Sequence, residues 1–481
     1  MIFAIVFFLN SAANFVFGVV LSAWLGPAEF GRYATVALAA TTLGGALFAW
    51  LRLASLRFSG DANGRREIAA SLDAGYLAMM ALLYLGVGAA AVIGWNFGLA
   101  PTLLALMPLL AVSFNRVDYA GAQLRAREQG LAFAWLYGGR QLLAFTVVLA
   151  VAYVTRDSAL TVMAIAVTNF LPAVLLGRAM RTEGARLRNA SRRHLWDFLV
   201  YAKPIVASLV IYQVIALINR QVALDRLGAD ATGEFSLAFD VGMRLFLAFN
   251  SLPEMLLFQF ALRREREEGL AAAQKQIGVN IVLVLALLAP LTAGYMAMMP
   301  TFEALMVPRA YRGDFARLSL ELAPGLFAYC FISAGLGSVF QLGKRTWPLT
   351  VAAVVGLGAD FALLGFGGAA SGTDGLARAY TICMVLGAMV SGVVALRNPA
   401  VRPRGRDVLA IAATTMVMTL AVRPLNAVSS PVLAAMLALM VGGGIFGAGM
   451  WLLDVAGARA WIAGQWRARS PRLLAVARRH A

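Results

Sequence analysis

Apolar positions along this chain fall in long blocks separated by short polar stretches. Residues 2–25, 71–97, 131–154 and 277–299 each run 23 residues or more with at most one or two charges. At 1.5 Å per residue, a helix of that length crosses a hydrocarbon core of roughly 30 Å. A soluble helix would carry a charged outer face at helical spacing. Most of these blocks are apolar all round, which is the membrane pattern.

The pattern predicts fourteen spans, at 2–25, 32–56, 71–97, 99–122, 131–154, 158–178, 204–224, 233–260, 277–299, 316–341, 348–366, 374–396, 408–424 and 431–453. The expected fold class is all-α: a polytopic membrane protein of about fourteen transmembrane helices. The longest inward connection, 179–203, separates six spans from the rest and reads as a cytoplasmic hinge. The expected division is an N-lobe over 1–178, the hinge over 179–203, a C-lobe over 204–396, and two further spans with a basic cytoplasmic tail over 397–481. The largest outward loop, about 300–315, has no room for an extracytoplasmic catalytic domain.

The sequence echoes itself across the hinge. Leu25-Gly26-Pro27-Ala28-Glu29-Phe30-Gly31-Arg32-Tyr33-Ala34 follows the first span, and Leu227-Gly228-Ala229-Asp230-Ala231-Thr232-Gly233-Glu234-Phe235-Ser236 follows the seventh. Both read Leu-Gly, four residues, Gly, one residue, aromatic, small. Glycine suits a tight turn into a helix because it tolerates positive φ. A second echo sets Gln123-Leu124-Arg125-Ala126-Arg127 against Gln341-Leu342-Gly343-Lys344-Arg345, after the fourth and tenth spans. An offset of six spans preserves orientation, so the echoes imply two pseudo-symmetric six-helix lobes in parallel. Such repeats commonly hold a site between them. The plainer reading is chance likeness of turn chemistry.

Composition agrees with the pattern: 61% of residues are apolar and 14% charged, against roughly 45–50% apolar in soluble domains. Charge adds the orientation. Of 41 Lys and Arg, 28 fall on the side that holds both termini if these are cytoplasmic, six on the other side and seven within spans. By the positive-inside rule this orients the chain with both termini cytoplasmic, and the expected location is a bacterial inner membrane. The net charge of +17 is then topological and calls for no nucleic-acid partner. Arginine supplies 38 of the 41 cations, which we read as codon bias. The apolar N-terminus is too long for a signal-peptide core, and a start codon upstream fits it better.

Cys330 and Cys383 lie inside apolar blocks without metal-ligand spacing and read as small core residues. His194 and His480 lie in basic stretches, so a histidine proton relay within the spans is excluded. No cofactor or metal site is expected.

Seven arginines lie within spans: Arg52, Arg116, Arg140, Arg220, Arg244, Arg317 and Arg378. An arginine at the bilayer centre costs about 2.5–3.5 kcal/mol on insertion scales, so a deep one needs a wet cavity or a partner. Arg52, Arg220, Arg317 and Arg378 lie within about one turn of a span end and can snorkel. Arg140 is about 13 Å from the inner end of span five, and Arg244 about 16 Å from the outer end of span eight. These two are the best candidates for a cationic lumen, since a guanidinium fork binds phosphate oxygens bidentately. Arg52, Arg116, Arg220 and Arg378 complete the candidate set. Among the acids, Asp240 and Arg244 stand i,i+4 on one face, as do Arg317 and Glu321, and can simply pair. Asp118 is close to Arg116 in sequence but faces elsewhere. Asp360 has no local cation and is the candidate for pairing across a lobe or titrating during transport, with H+ or Na+ as coupling ion. Asn10 and Asn14, one turn apart, can line a lumen or bond a neighbouring helix. Prolines at 108, 172, 253 and 290 allow helix bends, and the glycines at 442–444 allow close helix packing.

The stretch Trp24-Leu25-Gly26-Pro27-Ala28-Glu29-Phe30-Gly31-Arg32-Tyr33-Ala34 resembles the first outer loop of the Wzx-type polysaccharide flippases, within the multidrug/oligosaccharidyl-lipid/polysaccharide exporter superfamily. Asn219-Arg220 with Gly233-Glu234-Phe235-Ser236 is similar to that family's seventh-to-eighth helix region. Gly343-Lys344-Arg345 and Gly372-Thr373-Asp374-Gly375-Leu376-Ala377 are similar to later landmarks. The resemblance covers nearly the whole chain. Asn219 stands where an acid is common, and Arg378 where a small residue is usual. The resemblance implies export of an oligosaccharide on polyprenyl pyrophosphate from the inner to the outer leaflet, by alternating access. It implies membrane lipid and lipid-linked saccharide as partners, a polymerase or glycosyltransferase complex nearby, and a monomer as transport unit. Three other readings are open to the sequence: an antiporter of cationic drugs, which would carry lumen acids in excess of arginines; a polytopic polymerase or ligase enzyme, which would carry a large outer loop; and a scaffold for glycan synthesis.

Overall fold

The computed structural model describes residues 2–58, 65–94, 98–177, 186–343, 347–367, 372–457 and 459. The start of the hinge, Lys344-Arg345 of the second echo, His480 and the basic tail from 460 onward lie outside the described residues.

Sixteen α-helices follow in order: α1 (Ile2–Phe58), α2 (Arg65–Val92), α3 (Pro101–Ala126), α4 (Gly130–Leu143), α5 (Leu149–Thr155), α6 (Ser158–Leu175), α7 (Arg192–Leu227), α8 (Ala229–Glu268), α9 (Leu270–Ala297), α10 (Met299–Met306), α11 (Asp314–Cys330), α12 (Gly337–Leu342), α13 (Trp347–Gly365), α14 (Gly372–Ala395), α15 (Gly405–Val422) and α16 (Pro431–Leu452). No strand occurs among the described residues. Among the described residues, eleven helices or joined helices are long and apolar enough to cross a membrane. The chain is a multi-pass membrane protein. Within the described residues each of the fourteen expected spans falls mainly on helix: the first two share α1, and the seventh and eighth, on α7 and α8, stand outside those eleven.

Local chemistry sets the breaks. Within α1, Gly26 has φ 74° and ψ 171°, and Pro27 follows without an N–H to donate, so the helix kinks there. α7 ends on Gly228 at φ 89° and ψ 176°, a positive-φ conformation that glycine alone adopts readily, and its N–H bonds the Ala223 carbonyl at 3.1 Å. The two glycines of the sequence echo thus do the same work. α6 starts on Asp157, whose Oδ1 accepts from Leu160 N–H at 2.7 Å. Glu29, in the first turn motif, adds Oε2 to the Ser158 N–H at 2.9 Å, so a carboxylate of one turn caps a distant helix. Five-residue and six-residue π segments, Ala144–Val148 and Phe331–Leu336, join α4 to α5 and α11 to α12. α7 begins before its expected span, and Phe198 in its early turns is buried against Phe58 at 5.1 Å between ring centroids.

Contacts divide the chain into two compact units. The first comprises Met1–Ala248, Val307–Gly325 and Thr346–Gly387; the second comprises Phe249–Met306, Leu326–Arg345 and Ala388–Ala481. In the first, α1 packs on α3 and α7, α3 on α6, and α7 on α13. In the second, α15 packs on both α9 and α16. There Asn280 Nδ2 donates to the Leu257 carbonyl at 2.7 Å, and Thr301 and Asn426 bond at 2.8 Å.

Candidate functional site

All nine candidate site residues lie in the first unit. The structure sorts the arginines by partner, which sequence depth alone did not do.

Arg220 is 2% exposed. Its Nη1 donates to the Ala34 carbonyl at 2.9 Å, its Nη2 pairs with Asp240, and its guanidinium sits 5.4 Å from the centroid of Phe239. It points into the protein and ties α1, α7 and α8 together. The pairing uses the carboxylate that, by helical spacing, could have gone to Arg244.

Arg244 instead reaches across to α1, where Nη1 donates to the carbonyl of Asn14. A Cβ on Gly18 would overlap that guanidinium. Glycine one turn along therefore makes the room Arg244 occupies. Arg140 also reaches α1: its Nη2 donates to Asn10 Oδ1 at 2.9 Å, and it lies 5.7 Å from the Tyr137 ring centroid. The two deep arginines thus meet one helix at Asn10 and Asn14, about 6 Å apart along its axis. Both are half-buried, and among the described residues neither has a carboxylate within ion-pair distance. The π segment begins four residues after Arg140; such segments often mark functional positions.

The remaining candidates are paired or held apart. Arg52 and Asp118 approach to 3.4 Å, with side chains 37% and 47% exposed. Arg116 lies 5.9 Å from the Tyr76 ring centroid. Arg378 bonds Glu321 at 3.0 and 3.1 Å, while Arg317 pairs with Asp314 and Asp374. The i,i+4 alternative for Arg317 and Glu321 is therefore not the one adopted. Asp360, fully buried on α13, accepts from Asn219 Nδ2 at 2.9 and 3.0 Å and lies 3.5 Å from Cys383 Sγ. Gly356, one turn earlier, lets α13 approach Cys383: a Cβ there would stand 3.2 Å from the Cys383 carbonyl. No cation pairs with Asp360 among the described residues. No group of three or more His, Cys, Asp or Glu among them could hold a metal ion.

Sequence reasoning missed a cavity of about 220 Å³ lined from α1, α2, α3 and α7, where Arg52 and Asp118 meet Tyr76, Phe114, Asn115 and Gln213. Neutral amides and aromatics in apolar blocks carry no sequence signal that they face a void.

No known protein-family profile matches the chain, and no curated protein matches it by sequence. Solved structures do match. Lipid II flippase MurJ in an inward closed conformation superposes with a TM-score of 0.71 at 13% identity, over 94% of this chain and 98% of that one. The chain has the fold of that flippase. An inward-facing multidrug resistance MATE family transporter of the MOP superfamily gives a TM-score of 0.62 at 16% identity, over 84% of this chain and 96% of that one. A MATE transporter in complex with MaL6 gives 0.54 at 15% identity, over 85% and 95%. The MurJ and MATE likeness agrees with the fold that the Leu-Gly-Pro turn implied. Nearly the whole length of each of these neighbours is spanned.

Proposed function

We propose that the chain is a transporter, not an enzyme, and that it moves a saccharide carried on polyprenyl pyrophosphate from the inner to the outer leaflet of a bacterial cytoplasmic membrane. The single observation that carries this reading is the strip of α1 where Arg140 and Arg244 meet Asn10 and Asn14. Two guanidiniums with no carboxylate in ion-pair distance among the described residues are costly in a membrane helix unless an anion or water offsets them. A pyrophosphate offers oxygens to both forks. An exporter of cations would need the opposite charge there. The flippase neighbour and the likeness to Wzx-type turns favour a lipid-borne cargo. Asp360, without a cationic partner among the described residues, is the group we assign to the coupling ion.

Deleting the gene tests the reading. Lipid-linked saccharide should accumulate where an externally added glycosidase cannot reach it, and surface glycan should fall. Unchanged glycan together with raised sensitivity to cationic compounds would favour drug antiport. The orientation has its own check: reporter fusions at Ser191, Glu268 and Ala400 should report cytoplasm, and fusions at Ala229 and Gly313 periplasm.

A further inference from the structure

We propose that the cavity between α1, α2, α3 and α7 binds one pyranose ring of the cargo through its hydroxyl groups, apart from the arginines that take the pyrophosphate. The assignment deepens the lipid-linked saccharide reading and rests on it.

Size comes first. Pockets for drug-sized ligands run about 300–1,000 Å³. This one, at about 220 Å³, is smaller. That size suits a single sugar ring better than a whole oligosaccharide.

Charge then separates hydroxyl from phosphate. Arg52 and Asp118 are the charged residues lining the cavity, and they face each other at 3.4 Å. Their charges cancel, so no cation is left over for an anion. The neutral polar groups are rich in acceptors. Gln213 Oε1 is buried without a hydrogen-bond partner. Asn115 commits its Nδ2 to the Ala111 carbonyl at 2.7 Å, leaving Oδ1 as acceptor. Asp118 adds a carboxylate. A buried acceptor without a donor is costly, and a ligand that brings donors removes that cost. Sugar hydroxyls bring donors; phosphate dianions do not. Hydroxyls also accept, which suits the Arg52 guanidinium.

The aromatic wall is held rigid from outside the cavity. The Tyr76 hydroxyl donates to the Val112 carbonyl at 3.1 Å, and its ring stacks on Tyr119 at 5.5 Å. Tyr119 in turn donates to Asp73 at 3.1 Å. With both phenols engaged, Tyr76 and Tyr119 line the cavity with ring carbons, and a sugar ring has C–H groups to lay against them. Two glycines leave the room. A Cβ on Gly44 would overlap the Asn115 amide, and one on Gly45 would stand 3.0 Å from Gln213 Oε1.

The test uses the full chain in lipid nanodiscs, with methyl glycosides of a hexose and of an N-acetylhexosamine as probes at millimolar concentration. Saturation-transfer NMR reads the glycoside, and phosphorus NMR of inorganic pyrophosphate reads the anion in the same sample. Gln213→Leu removes the orphan acceptor at similar volume, and Asp118→Ala removes the carboxylate from a half-exposed position where folding is less at risk. Each should weaken glycoside binding about tenfold, the scale of one hydrogen bond to a buried group. Pyrophosphate binding should be unchanged by Gln213→Leu and lost in Arg140→Ala. Glycoside binding that is absent, or equal in wild type and both variants, overturns the cavity assignment. If pyrophosphate still binds in that case, the flippase reading stands without it. Glycoside binding lost in the variants, with no pyrophosphate binding in wild type, would keep the cavity and sink the flippase reading instead.

Discussion

Around the turns at Gly26 and Gly228, the first unit is closed by backbone lying on backbone. A Cβ on Gly233 would overlap the Pro27 carbonyl, and one on Gly31 would overlap the Ala229 carbonyl. Just beyond, Arg220 bonds the Ala34 carbonyl and pairs with Asp240, and the Tyr311 hydroxyl donates to the Ser22 carbonyl at 3.2 Å. From Gly31 to Phe48 is about 25 Å along α1, and there the same helix borders a cavity. Glycines occur there too, but the atoms their Cβ groups would meet are the amide ends of Asn115 and Gln213. Side-chain ends can rotate away; carbonyls in a helix cannot. The contrast teaches where substitutions should act on folding and where on binding alone. It also gives the sequence echo a physical meaning, because the two Leu-Gly turns that resemble one another are the two that touch.

Four substitutions would sharpen or break this contrast. The largest effect should come from Arg220→Ala, which strands Asp240 and removes the second bond to the Ala34 carbonyl. Breaking a buried pair costs about 3–5 kcal/mol. With Asp240 a quarter exposed, the low end, about 3 kcal/mol, is expected as a lowered melting temperature in detergent. A melting temperature like wild type would mean that the pair is solvated. Next, Gly233→Val puts a branched side chain onto the Pro27 carbonyl. It should lose about 1–3 kcal/mol, the usual cost of overpacking, and a monodisperse protein of normal stability would show the turns not to be in contact. Smaller again is Gly26→Ala, where open space surrounds the residue but φ is 74°. It should lose about 1–2 kcal/mol from backbone strain alone. The smallest is Gly45→Ala: Gln213 swings aside, and the melting temperature should change by less than the equivalent of about 1 kcal/mol. A larger loss there would make the cavity end as rigid as the turn end.

Much of this was legible in the sequence, and the parts that were not share a cause. Blocks apolar on every side gave the helices, because the period and length of a membrane helix are local properties. Gly26 and Gly228 were legible because positive φ is a local demand that glycine meets. The depth of Arg140 and Arg244 was a matter of counting along a helix. What they touch was not. The spacing of Asp240 and Arg244 offered a pair within one helix, yet Asp240 takes Arg220, from another helix, and leaves Arg244 to α1. Asn219 and Asp360 are 141 residues apart. Gly18, Asn115 and Gln213 have side chains, or the lack of one, that matter only against a neighbour. Local pattern fixes elements; it does not say which atoms of different elements meet.

The central claim is that the two arginines that reach α1, neither with a carboxylate in ion-pair distance among the described residues, hold the cargo, and that the paired Arg220 holds the protein. Proteoliposomes carrying a fluorescent polyprenyl-pyrophosphate saccharide test it directly, with translocation read by access to an external quencher. Arg140→Ala and Arg244→Ala should each abolish translocation with little change in melting temperature. Arg140→Lys and Arg244→Lys should restore part of it, since the charge survives without the fork. The double variant Arg220→Met with Asp240→Leu leaves no charge unpaired and should fold and translocate. Translocation that survives Arg140→Ala and Arg244→Ala but fails in the folded Arg220–Asp240 double variant would contradict the account.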